Sequence, residues 1–167
     1  LKKTFPILPQ NSDNVDRMHE FIITLTPETF QKISEAGVPK NQIIAKLGKL
    51  FLDFGLHAPT VSFPEPFGLM IEPTESYSKD ELDKFIDVLN GIKTLLETNP
   101  EVLSTVPHFT PVGKVDELKA NKNPILIDDE FILPELPEDR IIPSELSRMP
   151  ISDVCQKIVD AHKKVTV

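Results

Sequence analysis

Two apolar stripes at helical spacing constrain the fold of this chain more than any other feature. One stripe follows Asn41, which predicts an N-cap, and the other follows a capping box at Ser78. Apolar residues three and four positions apart share one face of a helix, and that face must be buried against another element. The sequence therefore predicts two amphipathic helices around one core. The first stripe contains Ile43, Ile44, Leu47, Leu50, Phe51 and Phe54, and the second contains Leu82, Phe85, Ile86, Leu89, Ile92, Leu95 and Leu96.

Three compact apolar runs predict strands. Residues Thr60–Phe63 and Leu69–Ile71 are separated by the proline-rich FPEPFG loop, and HEFIITL at residues 19–25 is rich in β-branched and aromatic residues. Thr26 and Pro27 then predict the start of a short helix that ends at Gly37. Together these elements predict an α+β fold, with a small sheet of short strands covered mainly on one face by helices.

The chain divides into four segments by composition. Residues 1–15 predict an extended arm, 16–127 a single domain, 128–150 a proline-rich acidic arm, and 151–167 a final helix capped by Ser152. Within the domain, residues 115–119 predict a helical turn and residues 124–127 a short strand. The apolar residues of the acidic arm indicate that it packs on a surface.

Charge and cysteine content exclude several function classes. A net charge of −8 disfavours nucleic acid and anionic lipid as partners. The single cysteine, Cys155, rules out an intramolecular disulfide and favours a cytoplasmic protein. The sequence shows neither a secretory h-region nor an apolar run long enough to span a membrane, which predicts a soluble protein.

No common catalytic signature is present in the sequence, so no catalytic residue is assigned. A phosphate-binding glycine loop, a GxSxG elbow, an HExxH pair and a CxxC pair are all missing. Cys155 lies seven residues before His162, two helical turns away, which favours a core cysteine over a nucleophile. His19 and His108 have no second ligand at metal spacing, so both are interpreted as structural and no metal is predicted.

One polar cluster flanks the two central strands and is the candidate ligand or interface site. It consists of His57, Thr60, Glu72, Thr74 and Glu75. A histidine, two hydroxyls and two carboxylates at strand ends could bind a polar ligand or orient a neighbouring domain. The same groups also cap helices and satisfy turns, and Glu75 precedes the Ser78 capping box by one turn.

Several motifs resemble the C-terminal part of the glycine dehydrogenase (decarboxylating) family, the P-protein of the glycine cleavage system. They are MHEF at 18–21, DFGLHAPT at 53–60, LMIEPTES at 69–76, SKDELDKFID at 78–87, PEVL at 100–103, PHFTPV at 107–112, VDEL at 115–118 and KNPIL at 122–126. The resemblance covers residues 18–127, in the same order. It departs in the short SFPEPFG loop and in the sequence after residue 127.

This resemblance implies the small C-terminal domain of a fold-type-I pyridoxal phosphate enzyme. It also implies that the Schiff-base lysine lies upstream in a large domain outside this chain, so this chain alone would bind no cofactor. Such a domain would act in glycine cleavage only with a pyridoxal-phosphate-bearing large domain or partner chain, or it would hide its interface by self-association.

Two other functions remain open at this point. The first is a free-standing binding or regulatory module that kept the fold without the chemistry, which the divergent C-terminal arm favours. The second is an independent enzyme with His57 and Glu72 as acid and base, for which the sequence supplies neither a nucleophile nor a cofactor anchor.

Overall fold

A four-stranded antiparallel sheet forms one layer of the protein. The computed structural model describes residues 4–8, 19–62, 67–111, 113, 116–124 and 141–166. The strands are β1 (Ile7–Leu8), β2 (Phe21–Thr24), β3 (Thr60–Val61) and β4 (Gly68–Ile71), in the order β1-β2-β4-β3. Ile22 pairs with Met70 at the centre, and Thr60 pairs with Met70 from the other side. The paired strands at 60–61 and 68–71 confirm the predicted reversal between them.

The helices supply the second layer. They are α1 (Pro27–Glu35), α2 (Ile43–Asp53), α3 (Lys79–Thr98), α4 (Glu117–Lys122), α5 (Pro143–Leu146) and α6 (Ile151–Thr166), with 3-10 turns at Lys40–Gln42 and Pro100–Ser104. Leu50, Phe51, Leu89 and Ile92 have no exposed surface, so the predicted stripes of α2 and α3 do meet in one core. The α+β prediction is confirmed. In the described part of the chain, none of the helices combines the length and apolar character needed to cross a membrane.

Two predicted helix caps are confirmed and two are wrong. Thr26 accepts a hydrogen bond from the Thr29 N–H, and Ser78 forms a complete capping box with Glu81. Asn41 caps nothing, because a 3-10 turn at Lys40–Gln42 runs directly into α2. Ser152 also fails as a cap, because α6 already begins at Ile151.

The predicted segments outside the core are only partly described. Ile7–Leu8 of the predicted N-terminal arm forms the edge strand β1. The predicted helical turn at 115–119 corresponds to α4, which begins at Glu117. Pro143–Leu146 of the predicted acidic arm forms a short helix, because Glu145 accepts a hydrogen bond from the Ile142 N–H. Residues 125–140, which hold most of that arm and of the predicted strand at 124–127, lie outside the described residues.

Replacing Ser78 with alanine should lower the free energy of unfolding by about 1 kcal/mol, because the Glu81 N–H loses its capping acceptor and the Glu81 carboxylate loses the hydroxyl donor. The Ser78 N–H and hydroxyl also lower the pKa of the Glu81 carboxyl, so this effect should shrink as the pH falls through that pKa. Urea unfolding midpoints at constant m-value measure it. Ser152→Ala is the matched control, since its hydroxyl bonds only the exposed Asp153 carboxylate. Equal losses in both variants would contradict the cap.

Candidate functional site

The predicted polar cluster lies on the surface at one end of the β3–β4 pair. Glu72 directly follows β4, and continuing the Thr60–Met70 register places residues 57–58 opposite residues 72–73. All five cluster residues are exposed, namely His57, Thr60, Glu72, Thr74 and Glu75. Nδ1 of His57 lies 2.9 Å from the carbonyl oxygen of Ala58. Thr60 at the start of β3 and Glu72 just after β4 therefore lie at the same end of the antiparallel pair, His57 lies in the loop before β3, and Thr74 and Glu75 lie further along the loop to α3.

The geometry of this cluster suits contact with another surface. No hydrogen bond or ion pair joins any two of its five members, all of which are described residues. Exposed carboxylates and hydroxyls without a preformed arrangement bind by charge and hydrogen-bond complementarity across an interface. The described residues contain no group of three histidine, cysteine or acidic side chains placed to hold a metal ion.

A second polar group, which the sequence did not predict, lies in the core. The Asp53 carboxylate at the end of α2 has no exposed surface. Its Oδ1 accepts hydrogen bonds from the backbone N–H groups of His108 and Phe109, at 2.7 and 3.1 Å. Its Oδ2 lies 2.7 Å from Nδ1 of His108, whose side chain is 1% exposed. A buried carboxylate needs such compensation, because burial of an unpaired charge is very unfavourable.

The network continues from His108 to the C-terminal helix. Nε2 of His108 lies 2.8 Å from the Thr105 hydroxyl, and the same hydroxyl lies 2.7 Å from Nδ1 of His162 on α6. His162 is buried. Four side chains from α2, the loop after the 3-10 turn at 100–104, and α6 thus form one continuous chain, Asp53–His108–Thr105–His162.

Hydrogen-bond chemistry fixes one end of this chain. A carboxylate only accepts, so His108 donates from Nδ1–H to Asp53. The Thr105 hydroxyl also lies 3.2 Å from the Val102 carbonyl oxygen, so three neighbours surround its single proton. The network joins Asp53, His108, Thr105 and His162 whichever of these neighbours receives that proton.

The order carboxylate, imidazole, hydroxyl matches that of a nucleophilic triad, but its surroundings do not match an active site. A cleft of about 280 Å³ lies between residues 4–6, the start of α1 and α3, and a groove of about 650 Å³ lies between α3 and α6. None of the four network residues lines either one. Because the hydroxyl is committed to two imidazoles, the arrangement is suited to holding α2, the 105–108 loop and α6 together.

Two signals in the sequence could have revealed the network. Asp53 follows Phe51 and precedes Phe54 at the end of an otherwise apolar stripe, where an acid is buried only if it is paired. His108 lies between Pro107 and Phe109, and its interpretation as structural agrees with its position. The sequence did not indicate which histidine would meet which acid, because residues 53 and 108 come together only in the folded chain.

Cys155 has the environment of a core cysteine. Its Sγ lies 3.7 Å from the Gly91 carbonyl oxygen, where α6 crosses α3. Burial raises the pKa of the thiol to about 11. His162, seven residues further on, is bonded to Thr105 instead. Among the described residues, Cys155 therefore has no hydrogen bond to a base that could activate its thiol.

Comparison with known proteins assigns the domain. The family model described as glycine dehydrogenase, C-terminal domain, matches residues 1–105. A Pyrococcus horikoshii protein named probable glycine dehydrogenase (decarboxylating) subunit 2 is 42% identical over 112 residues, which are 66% of this chain and 21% of that protein. The protein of that name from Pseudothermotoga lettingae is 43% identical over 110 residues, 65% of this chain and 21% of that protein. The chain thus spans about a fifth of the length of these curated relatives. No solved structure matches.

Replacing Asp53 with alanine should lower the free energy of unfolding by about 3 kcal/mol, because two backbone N–H groups and one imidazole lose their buried acceptor. Asp53→Asn should cost less, because its carbonyl still accepts from the backbone. Its NH₂ group then donates to Nδ1 of His108, which therefore loses the proton that it carries in the unaltered chain. Urea unfolding and the ¹⁵N tautomer of His108 check both outcomes. A loss in Asp53→Asn as large as that in Asp53→Ala would contradict this role of the backbone acceptor.

Cys155 should react with iodoacetamide at pH 8 about a hundredfold more slowly in the folded chain than in urea. The reason is that its pKa is raised from the ordinary 9.0 to about 11, and only the thiolate reacts. Alkylation rates followed by mass spectrometry, with and without urea, measure the ratio. Rates within a fewfold of each other would show that the native thiol is accessible and ionised.

Proposed function

This chain belongs to the glycine dehydrogenase C-terminal domain family, and on that premise we propose that it serves as the C-terminal-like domain of a glycine dehydrogenase (decarboxylating). In this role it acts in glycine cleavage together with a large domain or partner chain that carries pyridoxal phosphate. The observation that carries the proposal is the match over residues 1–105, together with identity above 40% to proteins named subunit 2 of that enzyme. That name implies a companion subunit for those relatives.

The family motifs of this chain serve the domain's architecture. DFGLHAPT contributes Asp53, and PHFTPV contributes His108, which are joined by a buried hydrogen bond. The DFG segment also contains Gly55, which lies just after α2 with a φ of +72° that suits glycine. These residues position the loop after α2, and that loop carries His57 and Thr60. The motif thus contributes one residue to the core and presents others on the surface.

The residues that the structure describes do not fit pyridoxal phosphate. When bound, the cofactor supplies an electron sink for decarboxylation, and its site needs an imine lysine, a pyridinium partner and a phosphate cradle. Four described lysines are partly buried: Lys46 and Lys84 donate to backbone carbonyls, Lys93 pairs with Glu97, and Lys49 on α2 lines neither the cleft nor the groove. The His57 cluster lies on an open surface. We therefore assign cofactor binding to the large domain and derive no chemical step through this chain.

We propose that the His57 cluster faces that large domain near the entrance of the shared active site. Its support is threefold: Thr60 and Glu72 lie at the same end of the β3–β4 pair, with His57 in the loop before β3, all three are exposed, and none is bonded to another cluster member. A surface with polar groups of this kind suits a transient or regulated interface between domains.

The free-standing binding or regulatory module is the second candidate, and one observation favours it. Helix α6 lies beyond the family match at 1–105 and packs onto α3. A domain whose exposed face is covered by its own C-terminal helix has less need of a companion domain to bury that face.

A pull-down of the tagged full chain from its native lysate separates the two candidates. The proposed function predicts that the chain retains a protein with a pyridoxal-phosphate-binding large domain, detected by mass spectrometry and by the absorbance of the bound cofactor. Glu72→Gln should lower the affinity for that protein about tenfold, which corresponds to loss of one complementary charge at the interface. Asp160→Asn on α6 removes the same charge elsewhere and should leave the affinity unchanged.

Recovery of the chain alone, without the cofactor's absorbance, would overturn the proposed function in favour of the free-standing module. Equal retention by the Glu72→Gln and Asp160→Asn variants would instead remove only the His57 cluster from the interface.

A further inference from the structure

Residues 141–166, which we name the C-terminal strap, pack on the rest of the domain as one segment at the end of the described chain. The strap comprises α5, the turn after it and α6. Its buried apolar residues are Leu146, Val154 and Ile158, and five partly buried residues pack beside them, namely Ile141, Met149, Ile151, Cys155 and Val159. Lys84 of α3 donates a hydrogen bond to the Ser147 carbonyl between the two helices. Helices α2 and α3 together bury ten apolar side chains, so the strap is expected to open at a lower free energy than this core.

Two glycines in the domain form notches that the strap occupies. Gly91 lies in the middle of α3, where glycine is unfavourable for helix stability. A Cβ at this position would lie 2.5 Å from Ile151 Cγ2 and 3.3 Å from Cys155 Sγ. A Cβ at Gly55 would lie 2.8 Å from the Pro143 carbonyl oxygen. Both glycines thus permit close approach of the strap, so this face of α2 and α3 is shaped for it.

The far end of the strap is held by a polar contact. Nδ1 of His162 lies 2.7 Å from the Thr105 hydroxyl, which also contacts His108 and, through it, the buried Asp53 carboxylate. The domain can satisfy Asp53 without the strap, because all three hydrogen bonds to its carboxylate come from His108 and Phe109. Opening of the strap therefore leaves no buried charge without a partner.

We propose that the C-terminal strap is a separable cover over the face formed by α2, α3 and the 3-10 turn at 100–104, fastened by the His162–Thr105 hydrogen bond. It opens as a unit while the family domain stays folded. The occupant of this face in the closed state is the strap of the same chain, which fits both glycine notches. Opening exposes the partners of Val154 and Ile158, so the strap controls access to an apolar surface. This inference does not depend on the proposed function.

Native-state hydrogen exchange of the full chain, read by mass spectrometry, tests the proposal. Thr105→Val removes the hydroxyl at nearly constant shape and should speed exchange of α6 amides about tenfold, with little change in the α3 amides around Leu89 and Ile92. Thr94→Val is the matched control, because its hydroxyl bonds only the Asn90 carbonyl of its own helix. Its α6 exchange should match that of the unaltered chain.

Gly91→Ala provides a second signature that general destabilisation cannot produce. The added methyl group displaces Ile151, so α6 exchange should accelerate severalfold, while alanine strengthens α3, whose own exchange should slow or stay constant. Leu89→Ala, which damages the shared core, should accelerate both helices together. Equal acceleration of α3 and α6 in Thr105→Val and Gly91→Ala, or no acceleration of α6 in either, would overturn the proposal.

Discussion

The carboxylate of Asp53 is fully buried, and much of the structure around it satisfies that one charge. Its oxygens accept three hydrogen bonds from a two-residue stretch, His108 and Phe109, more than fifty positions along the chain. Residues 108 and 109 are thereby held against the end of α2. Because His108 also contacts the Thr105 hydroxyl, and that hydroxyl contacts His162, the alignment set by Asp53 extends to α6. Apolar packing of α2 and α3 supplies most of the burial, but it does not specify this alignment.

The parts of the fold that the sequence predicts are those governed by local rules. The Thr26 and Ser78 caps, the stripes of α2 and α3, and the ends at Gly37 and Gly55 depend on residues within one or two turns of each other. Where prediction failed, a neighbouring element changed the local outcome. Asn41 is not an N-cap, because a 3-10 turn directly precedes α2. Ser152 is not an N-cap, because the Pro150 carbonyl already accepts the first hydrogen bonds of α6. The buried network was missed because side chains that contact each other in it lie up to 57 positions apart in the sequence.

The same distinction between local sequence rules and distant contacts applies to the His57 cluster. The sequence predicts that His57, Thr60 and Glu72 flank the two central strands, and whether they form a site stays a prediction. Their exposure shows why the sequence could not assign them a chemical role: none of them is held by another member of the cluster. The family motifs therefore contain two kinds of residue. Asp53 and His108 are buried and align parts of the core, whereas His57 and Thr60, which follow Asp53, are exposed on the surface.

The strand order β1-β2-β4-β3 has a consequence for how the chain reaches its native state. β3 and β4 are close in sequence and can pair early, whereas the central pairing of Ile22 with Met70 joins residues 48 positions apart. Both α1 and α2 lie within that closed loop. Loop closure of this length is entropically unfavourable until apolar contacts compensate it, so β2 is expected to join a sheet nucleus that the α2–α3 contact has already brought together. Mutations in the α2–α3 interface should therefore slow folding, and mutations in β2 should mainly speed unfolding.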